Sequence, residues 1–381
     1  MTILPQQPMI TAKRHMIVAG HYLATEAGAK VLEAGGNAID AGVAAGIALG
    51  VVHSDQVQFS GVAPMLIYLA ETDEVISIAG LGHWPKSASL SLFENQYNGT
   101  IPLGLLRTVV PAAPDAWITV LKNYGTMSFG EVASSAIKYA REGITVHPTM
   151  SKFLSRYQEN YRMWPSNSNI WQKNGHPLEV GDLLIQTDLA ASIQFMADQE
   201  AAAMKDGREK GLQAARDAFY VGDIASKIVK YHKENGGLMT ADDMASYATP
   251  IEKPLSINFR GTEVYSCRPW CQGPVLLQML NMLNDIDLKA MGHNSTNYIH
   301  YLAETIKLSF ADRERYYGDP NFVDVPVEKL LSSEFARQRQ EQINLQKAWS
   351  KMPPAGEIEG FGGISLRSKT NSDASFSEPD T

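Results

Sequence analysis

Apolar and polar positions along this chain follow two rhythms, and both begin near the N-terminus. The run at residues 15–20 predicts a short strand, and Leu23, Ala27 and Val31 then recur at four-residue spacing, which puts them on one face of a helix over 23–34. Gly35 and Gly36 stop that helix, because glycine tolerates the left-handed conformation at a helix C-terminus. Asn37 offers a side-chain oxygen to cap a second helix over 38–52. Ala41, Gly42, Ala44, Ala45, Gly46, Ala48 and Gly50 build that helix. Side chains this small let other backbones come close, so burial on most sides is expected. Residues 65–70 and 75–79 are two strand-like runs joined by Glu71-Thr-Asp-Glu74, the pattern of a hairpin.

Beyond the hairpin the helical rhythm dominates. Helices are predicted over 115–124 and 129–142, closed by Gly125 and Gly143, and over 150–163 and 189–205. Trp164-Pro-Ser-Asn-Ser-Asn169 between them reads as a loop. A strand at 262–266 precedes a helix over 275–283 with an apolar stripe of Leu276, Met279, Leu280 and Leu283. The last strong helix, 298–317, carries Ile299, Leu302, Ile306 and Phe310 on one face and stops at Gly318-Asp-Pro320. There is no internal repeat and no convincing interdomain linker. The census has many helices and too few strands for a closed sheet of their own, which fits a chain supplying part of a layered fold.

Composition narrows the function classes. The chain has 381 residues, 44% hydrophobic and 19% charged, which is ordinary for a soluble globular protein. A net charge of -8 with scattered Lys and Arg provides no basic face for a polyanion, so no nucleic-acid partner is expected. No stretch approaches the roughly 18 apolar residues of a membrane helix. The first ten residues lack a basic region followed by an apolar run, so a cytoplasmic location is expected, or a periplasmic one if a leader was removed. Cys267 and Cys271 have no second pair to complete a zinc site and read as reduced, partly buried thiols.

Self-contained catalytic machinery is not evident. The chain has no Gly-x-Ser-x-Gly elbow, no His-Glu-x-x-His and no phosphate loop. The nine histidines form no ligand cluster by spacing. His53-Ser54-Asp55 spells a triad in miniature, yet three adjacent residues cannot turn their side chains toward one another in the required geometry.

Information lies instead in an ordered set of phrases. They are Glu33-Ala-Gly-Gly-Asn-Ala-Ile-Asp40, Lys122-Asn-Tyr-Gly-Thr-Met127, Ala136-Ile-Lys-Tyr-Ala-Arg-Glu-Gly143, Gly236-Gly-Leu-Met-Thr-Ala-Asp-Asp-Met-Ala-Ser-Tyr247, Phe259-Arg-Gly-Thr-Glu-Val-Tyr265, and Ala311-Asp-Arg313 with Tyr317-Gly-Asp-Pro320. Each alone is a cap or a turn. Together, from about Met16 to Pro326, they resemble the large subunit of the gamma-glutamyltranspeptidase family. The resemblance implies an α+β fold, the large-subunit part of a four-layer αββα N-terminal-nucleophile hydrolase sandwich completed by a small (beta) subunit from the same precursor. It also implies residues 1–364 as a single domain and 365–381 as a polar tail ending at the processing site, Asp380-Thr381. The nucleophile is then the threonine expected first in the small subunit, after Thr381, or Thr381 itself if the chain is trimmed differently. In this chemistry the hydroxyl attacks an amide carbonyl while the freed α-amine takes the proton, so the nucleophile carries its own base and neither metal nor organic cofactor is expected.

The family's large subunit lends an arginine, in a phrase of the form Asp-x-Arg-Glu-x-Ala-Pro, that grips the substrate's α-carboxylate. Aligning on Pro85 puts Leu81 at that position, and leucine cannot form the bidentate pair. The Gly-rich turn after the second helix is also altered, to Phe59-Ser-Gly-Val-Ala-Pro64. A rebuilt pocket follows as the expectation, with Arg107 or Lys86 as replacement cations and His83 and Trp84 as lining. The expected activity is cleavage of a small amide that is not strictly gamma-glutamyl. The rivals are a genuine gamma-glutamyl transferase gripping with Arg107 and a catalytically inactive binding relative. Higher assembly is possible on any of these readings.

Overall fold

The computed structural model describes residues 10–363. Within them the chain divides into two compact units, one formed by segments up to Ala63 and from Gly80 to Pro250, the other by Pro64–Ala79 and the chain from Ile251 onward. In chain order the elements begin with α1 (Tyr22–Glu33), α2 (Ala38–Val52), β1 (Met65–Leu69), β2 (Glu74–Ile78), α3 (Leu90–Tyr97), α4 (Ala113–Tyr124) and α5 (Phe129–Glu142). Next come β3 (Ile144–Thr145), α6 (Pro148–Arg156), α7 (Gln158–Arg162), α8 (Pro165–Trp171), β4 (Gln172–Lys173), β5 (His176–Pro177), β6 (Leu183–Leu184), α9 (Thr187–Ala203), α10 (Arg208–Tyr220), α11 (Asp223–Glu234) and α12 (Ala241–Ser246). The chain continues through β7 (Ile251–Glu252), β8 (Leu255–Phe259), β9 (Thr262–Ser266), α13 (Gly273–Leu283), α14 (Thr296–Tyr316), α15 (Val327–Leu330) and α16 (Ser333–Gln340). The class is α+β.

The first unit is helical. Its centre is α2, whose small residues are buried as expected apart from exposed Gly42 and half-buried Gly46, and against which α1, α4 and α5 pack. Gly46 faces the Trp117 indole, and a Cβ on Gly50 would meet the Phe59 backbone at 2.8 Å. Asn37 caps α2 in a reciprocal box with Asp40, as its position predicts. Asp40, fully buried, also accepts from the Thr126 and Met127 amides and the Thr126 hydroxyl, tying α2 to the turn before α5. Short ribbons, β3 with β6 and β4 with β5, complete this unit.

The second unit holds a three-stranded antiparallel sheet in the order β1-β2-β7 and the hairpin β8-β9. The predicted hairpin forms with Met65 opposite Ile78 and Leu69 opposite Glu74. Beside it α14 packs on α13 and is linked to α16 by the buried pair Asp312 and Arg339, 3.0 Å apart.

Four expectations are corrected. Residues 15–20 are extended but carry no sheet pairing; the Ala19 amide bonds to the Thr25 hydroxyl at 3.1 Å, and Val18 is 84% exposed. Residues 165–171 form α8 rather than a loop, because Pro165 stands at the first turn, where its missing amide costs nothing. The helix expected over 150–163 is broken at Tyr157 into α6 and α7. The stripes on α13 and α14 hold only in part: Leu283 is buried and Met279, Leu280, Leu302 and Phe310 are half-buried, but Leu276, Ile299 and Ile306 are exposed while Gln278, Glu304, Thr305, Ser309 and Asp312 are buried. No helix among the described residues is long and apolar enough to cross a membrane.

Candidate functional site

Four of the five proposed substrate-facing residues lie on one stretch of irregular chain, 80–86, after β2. Its backbone is held from three sides within the first unit. The Gly80 carbonyl accepts from the Ala63 amide at 2.7 Å, the His83 carbonyl from the Val110 amide at 2.8 Å, and the Leu81 carbonyl from the Tyr247 hydroxyl at 3.2 Å. The Lys86 amide donates to Asp243 at 2.8 Å. Glycine is required at two of these positions by sheer proximity: a Cβ on Gly80 would lie 2.2 Å from the Ala63 carbonyl oxygen, and one on Gly82 would lie 1.8 Å from that of Val110. The result is a backbone ledge fixed in place with Leu81, His83, Trp84 and Lys86 exposed on it.

The support beneath the ledge is polar and buried. Asp115, in the first turn of α4, pairs with Arg216 of α10 and accepts the Thr249 amide at 2.7 Å. Arg216 also donates to the Tyr247 carbonyl and lies 4.9 Å over the Tyr220 ring. The Tyr220 hydroxyl donates to the Pro111 carbonyl at 2.7 Å, next to the segment that bonds His83. Burial pushes the Tyr247 phenol up to about 12, so it remains a donor to Leu81 across the physiological range. Asp243 closes a capping box with Thr240 at the start of α12. Burial opposes its charge, but the bonds from Thr240 and the Lys86 amide outweigh this and hold its carboxyl below the usual range.

The proposed side chains have separate surroundings. The Lys86 ammonium lies 2.5 Å from Asp242 and 3.2 Å from the Ser246 hydroxyl, so its charge is already matched. The His83 ring meets Tyr247 edge-on at 5.6 Å, and the Trp84 indole meets Phe93 of α3 at 5.9 Å. Arg107 ends a single 3-10 turn, Leu105–Arg107, and its Nε donates to the Ile101 carbonyl at 3.1 Å. Leu81 is 37% exposed. Asp380 and Thr381 lie outside the described residues. Tyr247, Asp115 and Arg216 were not singled out from sequence; of the three, only Tyr247 lay within a recognised phrase.

The miniature triad does not assemble: the Ser54 hydroxyl donates back to the Val51 carbonyl at 3.0 Å. His53 and Asp55 instead converge with His147, brought from the far side of α5, a grouping that spacing along the chain does not reveal. Cys267 and Cys271 are free and half-buried, and the Gly273 amide donates to Cys271 at 3.3 Å.

Comparison with known proteins places this architecture. The sequence profile described as Gamma-glutamyltranspeptidase matches residues 24–374. The Glutathione hydrolase-like YwrD proenzyme of Bacillus subtilis (strain 168) is 32% identical over 357 residues, covering 93% of this chain and 65% of that protein. The Acylase ACY 1 proenzyme of Pseudomonas sp. (strain V22) is 32% identical over 360 residues, 91% of this chain and 62% of that protein. This chain thus spans less than two thirds of the length of either relative. The crystal structure of Helicobacter pylori gamma-glutamyltranspeptidase superposes with a TM-score of 0.82 at 31% identity, over 91% of this chain and 97% of that one. With the profile covering all the phrases read from the sequence and the fold agreeing over nine tenths of its length, the chain belongs to the gamma-glutamyltranspeptidase family.

Proposed function

We propose that this chain is the large subunit of a self-processing amidohydrolase or acyltransferase that cleaves a small-molecule amide through an acyl-threonine on the small subunit, and that its substrate is not strictly gamma-glutamyl. The carrying observation is the ledge. Where the family resemblance implies a carboxylate-gripping arginine, Leu81 stands exposed on a fixed backbone, and the nearby Lys86 is matched by Asp242. An apolar side chain with His83 and Trp84 beside it favours an uncharged or flat acyl group. The relatives named above include an acylase as well as a glutathione hydrolase-like protein, which supports the same spread of substrates.

The four-layer αββα sandwich belongs to this proposal, with the small subunit supplying what the three-stranded sheet lacks. The outward apolar residues Leu276, Ile299 and Ile306 support such a partner, since large apolar side chains left in water gain by being covered. Chemistry in this reading needs no group from the ledge: the threonine's own α-amine accepts the hydroxyl proton and later activates water or an acceptor amine. The ledge acts in binding and orientation.

The test is a substrate panel on the purified, processed protein, with gamma-glutamyl anilide against anilides of uncharged acyl groups. Loss of a buried carboxylate contact of at least about 2 kcal/mol lowers kcat/KM on the glutamyl compound at least about 30-fold relative to an arginine-bearing relative. Equal efficiency on the glutamyl compound would overturn the specificity reading. A rate unaffected by Arg107→Ala would dispose of Arg107 as the substitute grip.

A further inference from the structure

The strongest unassigned constellation lies away from the ledge, where the end of α2 meets the start of α6. His53 is the C-cap of α2, Asp55 follows in the next turn, and His147 is the N-cap of α6. One donor atom from each lies within 4.8 Å of the other two. His53 Nε2 is 4.0 Å from Asp55 Oδ1, and the His53 and His147 rings are 5.3 Å apart. The Asp55 side chain is fully buried, yet its Oδ1 has no hydrogen-bond partner, and neither has the buried Nε2 of His147.

A buried carboxylate oxygen without a donor is costly, and such an orphan points to a bound water or ion. A second orphan atom in the same cluster, Nε2 of His147, strengthens that reading. We propose that His53, Asp55 and His147 form a site for one divalent cation of the zinc class, with solvent completing its coordination. Two nitrogens and one oxygen suit zinc, cobalt or nickel and disfavour calcium or magnesium, which take oxygen ligands. Donors in an occupied tetrahedral zinc site stand about 3.3 Å apart, so a shift of under about 1 Å between His53 and Asp55 brings that pair into range.

The surroundings of His147 agree with a neutral imidazole there. Burial, outweighing Asp55, lowers the pKa of His147. His53 keeps 22% of its side chain exposed, which leaves a route in from solvent. Further groups face the site. His21, whose ring lies 5.4 Å from that of His147, has its Nδ1 occupied by the Leu23 amide. The Tyr161 phenol, on α7, is pushed up to about 12 by burial and by the Asp55 charge, and so stays uncharged. Coordination through His147 Nε2 has one structural consequence. His147 Nδ1 accepts the Met150 amide at 3.2 Å, so the ring proton resides on Nε2; binding moves it to Nδ1 and gives up that cap. The ion therefore replaces a hydrogen-bonded cap with a bond from α6 to α2.

The experiment uses the purified protein without a histidine tag, stripped with chelator and dialysed against zinc, cobalt or magnesium. The expected result is about one zinc per chain, a raised thermal midpoint with zinc but not magnesium, and visible d–d bands with cobalt. Asp55→Asn, which keeps the shape of the side chain, should weaken zinc uptake at least about 10-fold with an unchanged far-ultraviolet dichroism spectrum. No retained metal, no cobalt bands and no thermal shift in the unsubstituted protein would mean that the gap holds water only, and would overturn the proposal. Equal zinc uptake by the Asp55→Asn protein would overturn it too, by locating the metal elsewhere.

Discussion

At the scale of single residues, environment rather than type decides what each side chain does. Lys86 is a possible carboxylate grip by type, and beside Asp242 it is a solvated ion pair. Leu81 is the position where one substitution should change specificity. Leu81→Arg places a bidentate donor on the fixed ledge, and its expected effect is a rise of at least about 10-fold in kcat/KM for gamma-glutamyl anilide, with little change for uncharged acyl anilides. Parallel assays of both substrates check it, and an equal change in both would argue for a general disturbance. His232 gives a pH prediction. It is buried, its Nδ1 faces the Met239 amide at 3.4 Å, and burial lowers its pKa below the ordinary 6.5. As pH falls below 6.5 the unfolded chain takes up that proton before the folded one, so stability is lost between the unfolded and the lower folded pKa. Thermal midpoints at about pH 7.5 and about pH 5.5 should therefore converge in His232→Gln relative to the unsubstituted protein.

At the scale of elements, two buried carboxylates hold helices together. Asp40 satisfies the start of α2 and the turn into α5 at once, with contacts of 2.6 to 3.2 Å. Asp40→Ala leaves several buried donors without an acceptor, and a loss of about 3 kcal/mol is expected in urea denaturation. Asp312 of α14 accepts from Arg339, Gln278 and the Gly356 amide. Burial pushes its carboxyl up despite the arginine beside it, a sign that desolvation rivals the pairing. Arg339→Met alone should cost about 3 to 5 kcal/mol, and adding Asp312→Asn should restore part of it, because the remaining buried charge is then gone. A double-substitution cycle measures this. Both carboxylates sit in phrases that carried the family resemblance, so those phrases mark helix junctions in this structure.

At the scale of the whole molecule, the exposed apolar side chains of α13 and α14 bear on the proposed small subunit. α14 buries Tyr301, Leu308 and Ala311 together with Glu304, Thr305, Ser309 and Asp312, and leaves Ile299 and Ile306 outward. If those residues meet a partner chain, Ile306→Glu should prevent stable association with the small subunit while the far-ultraviolet spectrum of the large one is preserved. Size-exclusion chromatography of the co-produced chains reads the outcome directly. Unaltered co-elution would mean that the partner sits elsewhere.

Much of the fold was legible because its signals are local. The α1 and α2 boundaries follow from Gly35, Gly36 and Asn37, the hairpin from two alternating runs, and the end of α5 from Gly143, all within a few residues of the element they end. The ordered phrases were likewise enough for the family. The exposure of Leu276, Ile299 and Ile306 was not legible, since periodicity finds the apolar face of a helix but not whether this chain or another covers it. Nor was the unpaired extension at 15–20, because a strand needs a neighbour that the local sequence does not contain. The ledge at 80–86 and the meeting of His53, Asp55 and His147 depend on contacts between residues far apart in the chain, through Tyr247, Asp243 and Val110 in one case and the packing of α6 in the other. The sequence determined which elements form and which family they belong to, because caps, turns and periodicity act over short range. Only the tertiary structure decided which side chains are fixed, matched or orphaned, because burial and partnership are properties of what the fold brings near.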